Sequence, residues 1–201
     1  MRIIVVGGTG TIGKAVVTNL AKRHTVITCG HQSGEIQVNI THPASIENLF
    51  KTIGPFDALV STTGQVHFAP LPEMSHDDYF VGLKSKLMGQ VNLVLLGLKH
   101  IQDGGSFTLT SGILSQDPIR SGSSASMVNA AIDSFVKAAA IEIPRGIRIN
   151  VVSPTVLTES MQAYEGYFPG FEPVPAIRVA YAYRKSVEGA QTGQLYKVGY
   201  C

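Results

Sequence analysis

Apolar residues run unbroken from Ile3 to Val6, stop at the segment GGTGTIG, and recur at Ile12, Ala15, Val16 and Leu20. A β-branched run followed by a 3.6-residue period predicts a strand, a tight turn and a helix. The same alternation continues along the chain. Residues 25–28 (TVIT), 36–40 (IQVNI), 58–61 (ALVS), 106–110 (SFTLT), 148–152 (RINVV) and 194–198 read as further strands. Between them, helical spacing appears in three places: Ile46, Leu49, Phe50 and Ile53; Leu87, Val91, Val94, Leu95 and Leu98; and Val128, Ile132, Phe135, Val136 and Ala139. The last two predict long helices over 85–100 and 122–142, and a shorter one is expected near 176–187. Gly104 and Gly105 are expected to close the first long-helix unit, and Pro144 with Gly146 the second. Residues 62–73 and 158–175 carry Pro, Gly and Tyr without a period and read as loops.

Strands alternating with helices of this length require right-handed crossovers, and so a parallel sheet covered on both faces. The expected fold class is α/β, a Rossmann-type doubly wound sheet of about seven strands. With 201 residues and no linker or repeat, one domain spanning 1–201 is expected.

Composition narrows the function classes. The net charge is +2 without a basic run, so neither nucleic acid nor a membrane surface is expected as a partner. Cys29 and Cys201 are too few for a disulfide framework, and Ile3–Val6 is too short for a signal peptide or a membrane span. The expected setting is cytoplasmic. The six histidines are scattered without pairing or cysteine partners, so no metal site is expected. His76, Asp77 and Asp78 suit the capping and dipole of a helix start better than a cation.

Gly7, Gly10 and Gly13 form G-x-x-G-x-x-G between the first strand and the first helix, where a dinucleotide fingerprint must stand. Missing Cβ atoms let the backbone approach a pyrophosphate, with the N–H groups of Thr11 and Ile12 facing the anion and the Thr9 hydroxyl beside it. After the second strand the chain reads CGHQSG, with no acid before Glu35 to hold an unphosphorylated ribose. His31, Gln32 and Ser33 offer donors to a phosphate instead, so NADP is expected in preference to NAD.

With the glycine turn, DALVSTTG at 57–64, GSFTLTSG at 105–112 and GIRINVVSPTVLT at 146–158, the whole chain resembles a short-chain dehydrogenase/reductase. The resemblance implies adenine contacts at Asn39 and Ile40, and a turn along the ribose at Thr62, Thr63 and Gly64. It also implies a segment beside the nicotinamide that includes Pro154 and Val156, with Thr155 where the family has glycine. It implies too a homodimer or homotetramer built on the two long helices, whose apolar stripes are broader than one sheet face requires.

The family's catalytic Asn, Ser, Tyr and Lys would fall at Lys86, Gly112, Ala125 and Asn129, so all four roles have changed. No tyrosine lies between Tyr79 and Tyr164, and no lysine between Lys99 and Lys137. Losing a general acid removes about 100- to 10,000-fold in rate. Lys86 and Ser111 are the replacement candidates. Lys86 would supply a cation beside the nicotinamide, and Ser111 a hydroxyl at the strand edge where open α/β sheets bind ligands. A lysine on an amphipathic helix equally suits a solvated face, and Ser111 a strand end. Tyr79, Tyr164 and Tyr167 stand in segments that could reach the pocket. Two readings remain: an NADP-dependent oxidoreductase on a small carbonyl or alcohol, and a catalytically silent dinucleotide-binding protein.

Overall fold

The computed structural model describes residues 1–201. Seven parallel strands form one sheet in the order β3-β2-β1-β4-β5-β6-β7. They are β1 (Arg2–Val6), β2 (Thr25–Gly30), β3 (Ile36–Gln37), β4 (Phe56–Ser61), β5 (Ile101–Thr110), β6 (Arg148–Pro154) and β7 (Leu195–Val198). The strand order reverses between β1 and β4, and this is where such sheets open a crevice at their carboxyl ends.

Alternation along β1 divides the core. Ile4 and Val6 face helices α2 (Pro43–Ile53), α4 (Gly89–Gly97) and α5 (Ser123–Glu142), whose Phe50, Leu93, Ile132 and Val136 are buried with them. Ile3 and Val5 face α1 (Thr11–Leu20) and α6 (Ala176–Glu188), against Val16, Leu20, Val179 and Tyr183.

Three boundaries differ from the sequence expectation. The third strand pairs only at Ile36 and Gln37, because Asn39 starts a turn in which its Oδ1 accepts from both the N–H and the hydroxyl of Thr41. The helix expected over 85–100 starts earlier, at α3 (His76–Gly82), behind a capping box of Ser75 and Asp78, and passes through a π turn, Leu83–Met88, into α4. It ends at Gly97, and Gly104 and Gly105 lie instead within the irregular start of β5, which pairs with Phe56 before its register shifts.

Candidate cofactor and active site

The turn after β1 is built around two glycines the fold itself demands. Gly7 has φ +83°, and a Cβ there would stand 2.8 Å from the Thr62 carbonyl oxygen. A Cβ on Gly13 would overlap the Gly7 carbonyl as α1 packs down on the turn. Gly10 is different: its backbone is extended, and a Cβ would meet only the Gly7 carbonyl oxygen at 3.4 Å. Nothing in the protein needs a glycine at 10. No side chain caps α1, so the first N–H groups of the helix, including those of Thr11 and Ile12, are free to face an anion over Gly10. This open cradle fits a dinucleotide pyrophosphate.

Beside it lies a cavity of about 500 Å3 lined by Gly7, Thr9, Gly10, His31, Asn39, Ile40, Thr62, Thr63 and Gly64, all anticipated from sequence. Thr41, Val38, Gln65 and Ser85 also line it and were not anticipated. Because Asn39 Oδ1 already accepts twice from Thr41, only its amide N–H groups are left for a ligand. Glu35 points away, its Oε1 accepting from the Thr28 N–H at 2.9 Å. Of the expected phosphate donors, only His31 lines this cavity. Ser33 donates to Thr9 Oγ1 at 2.9 Å and so ties the 31–34 loop to the glycine turn, while Gln32 is exposed outside it.

Gly64 joins this cavity to a second one of about 240 Å3. Ile12, Pro154 and Val156 line the second cavity, as do the four positions of the implied catalytic set, Lys86, Gly112, Ala125 and Asn129, together with Ser111. The structure therefore gathers in one cavity the four positions that the resemblance implied. Lys86 is delivered by the π turn, which widens the helix where the 62–64 segment presses on it; a Cβ on Gly64 would stand 2.7 Å from Lys86 Cα. Gln90 locks that turn. Its Nε2 donates to the carbonyls of Lys86 at 3.0 Å and Thr110 at 2.8 Å, and its Oε1 accepts from the Thr110 N–H at 2.9 Å.

Burial lowers the Lys86 ammonium to a pKa of about 8, with Asp133 opposing the shift. Asp133, one turn beyond Asn129 on α5, is itself raised by burial; nearby Ser111 and Ser115, then Lys137 and Lys86, pull it back. Neither serine closes a well-formed hydrogen bond, so Ser111 Oγ, Ser115 Oγ, Asn129 Oδ1, Asp133 Oδ1 and Thr155 Oγ1 are all buried without partners. Each such atom costs about 1–3 kcal/mol. Of these, Ser111, Asn129 and Thr155 line the second cavity, where a bound ligand would supply the missing partners.

The tyrosines separate clearly. Tyr164 lines the second cavity, whereas Tyr167 belongs to a neighbouring cleft with Glu165 and Arg120. Tyr79 is held 2.9 Å from Ser123 Oγ, anchoring α3 to α5. Tyr183 is fully buried against Thr110 Oγ1 at 2.6 Å, and burial pushes its phenol far up, so it is a core tyrosine. No cluster of His, Cys, Asp or Glu side chains could hold a metal ion, and no helix is long and apolar enough to cross a membrane.

Sheet order, glycine turn and paired cavities define a dinucleotide-binding α/β protein. Residues 10–183 match the family described as enoyl-(acyl carrier protein) reductase. The chain belongs to the short-chain dehydrogenase/reductase superfamily. Its fold is close to the crystal structure of the protein lin1944 from Listeria innocua, at 52% identity and TM-score 0.97 over 98% of this chain and 99% of that one. It is also similar to a small-chain dehydrogenase solved in complex with NADPH, at 27% identity and TM-score 0.87, covering 98% and 96% of the two chains. A hydroxynaphthalene reductase from Aspergillus fumigatus is 25% identical over 182 residues, which are 79% of this chain and 67% of the relative.

Proposed function

We propose that this protein is an NADP-dependent oxidoreductase acting on a small carbonyl compound, in which Lys86 takes over the work of the absent tyrosine. The observation that carries the reading is that Lys86 lines the second cavity together with Gly112, Ala125 and Asn129, the positions that the resemblance implies for the acid/base set. Bound NADPH would supply a hydride. Gly7, Thr9 and Gly10, with the N–H groups of Thr11 and Ile12, would hold its pyrophosphate, and Asn39 and Ile40 would border the adenine. His31 would face the 2′-phosphate, with Glu35 diverted to Thr28 and no carboxylate left for a free ribose hydroxyl. Pro154 and Val156 would wall the nicotinamide. At neutral pH Lys86 is protonated and can polarise a carbonyl oxygen, and Ser111 offers a hydroxyl close by.

Calorimetric titration tests this directly. NADPH is expected to bind on the order of tenfold tighter than NADH, and His31→Ala to erase most of that preference. Equal affinities, or tighter NADH, would remove the phosphate role of His31. The second reading, a cofactor-binding protein without turnover, is favoured by one observation: Ala125 and Gly112 offer no proton. It predicts the same titration with no NADPH consumption across a broad panel of carbonyls.

A further inference from the structure

The second cavity is lined mainly by apolar side chains, with Lys86, Ser111, Asn129, Thr155, Ser160 and Tyr164 as its polar groups. Val66, Phe68, Ile113, Leu114, Leu157 and Phe168 form its walls. Phe68 stands edge-on to Tyr164, with ring centroids 6.0 Å apart, and Tyr164 stands edge-on to Phe168 at 5.7 Å. Phe171 extends the chain of rings at 5.4 Å from Phe168. Such a wall favours a flat π system presented to ring faces and edges.

The chemistry at the other end is equally restrictive. Reducing a simple ketone creates an alkoxide, too basic to form unless a donor aligned on the oxygen delivers a proton in the same step, and Ala125 and Gly112 carry none at the positions where the superfamily aligns one. A phenolate is far less basic, since phenols ionise near pH 10. It can form as a free anion if a cation meets it. In this cavity, Lys86 is that cation.

We propose that the substrate is a small quinone. This inference rests on the cofactor reading given above. The quinone would take a hydrogen with its electron pair from the reduced nicotinamide, whose C–H bond breaks, and become a hydroquinone monoanion. Lys86 holds the phenolate oxygen and then donates a proton to it, and a solvent proton restores the ammonium. The quinone is reduced by two electrons and NADPH is oxidised to NADP.

A product mimic separates this proposal from its foundation. NADPH titration comes first: absence of binding would defeat the proposed function itself and the quinone assignment with it. In the NADP complex, 2-naphthol is then titrated and its ionisation followed by fluorescence. Bound naphthol is expected to ionise at a pH lower by about 1 than free naphthol, and the shift is expected to vanish in Lys86→Met. With NADPH, 1,4-naphthoquinone should be consumed on the order of 100-fold faster than a cyclic aliphatic ketone, after subtraction of the uncatalysed rate. NADPH binding with unshifted naphthol, or with the aliphatic ketone reduced as fast, would overturn the quinone assignment and leave the cofactor reading standing. Loss of the shift in Tyr164→Phe but not in Lys86→Met would move the role to the phenol and equally overturn it.

Discussion

An ammonium taken out of water is penalised unless a carboxylate meets it, and Lys86 forms no ion pair. Its folded pKa of about 8 lies below the unfolded value near 10.5, so between those values the unfolded chain binds more protons and stability rises with pH. Below pH 8 the penalty is present in full. Lys86→Met should therefore raise stability at pH 7 by about 1–3 kcal/mol, allowing for water at the cavity mouth, while weakening function. Urea unfolding at pH 7 and pH 10 checks it: the advantage of the variant should shrink at the higher pH. Gly10 makes the complementary case. Gly10→Ala should fold as the parent does, since its Cβ would meet only one atom at 3.4 Å, yet lose NADPH affinity on the order of tenfold or more, whereas Gly13→Ala should lose the fold of the turn itself. Circular dichroism paired with calorimetry separates the two outcomes.

At the scale of elements, the segment from His76 to Gly97 carries most of what sequence reading missed. Its apolar positions follow a helical period whether or not one turn is widened, so nothing in the pattern of Leu87, Val91 and Val94 reveals the π turn that aims Lys86. The signal that could have found it is Gln90, a buried amide on an apolar face with no local partner in the sequence. Gln90→Leu would remove the side-chain partner of the Thr110 N–H and of the Thr110 and Lys86 carbonyls, and should cost about 2–4 kcal/mol in denaturant titration. The β-α alternation and the glycine turn were legible because strand ends and turns fix them locally, and the family resemblance supplied the cavity positions Asn39, Ile40, Thr62, Thr63 and Gly64. Phe68 and Phe168 were not legible, because only the tertiary packing of the 62–73 and 158–175 loops brings them to one cavity.

For the molecule as a whole, α4 and α5 leave an apolar groove between them, lined by Val94, Leu95, Leu98, Phe135, Ala139 and Ile143. Leu95 of α4 is 51% exposed on the groove, and Ile141 of α5 is 87% exposed. Small residues on α5 allow a second helix to approach closely, so this face suits a two-fold contact with another copy. Sedimentation velocity at micromolar concentration should find a dimer or tetramer, and Leu95→Glu should shift it to monomer with NADPH binding unchanged. A parent that stays monomeric would remove this face from the account.

All three scales converge on one ammonium beside a dinucleotide site. Carbon-13 NMR of the protein with its lysines reductively methylated, assigned through Lys86→Met, reads that group without needing a substrate. The account predicts that Lys86 titrates near pH 8 and that its signal moves when NADP is added, ahead of any other lysine. A Lys86 signal that titrates near 10.5 and ignores NADP would contradict it.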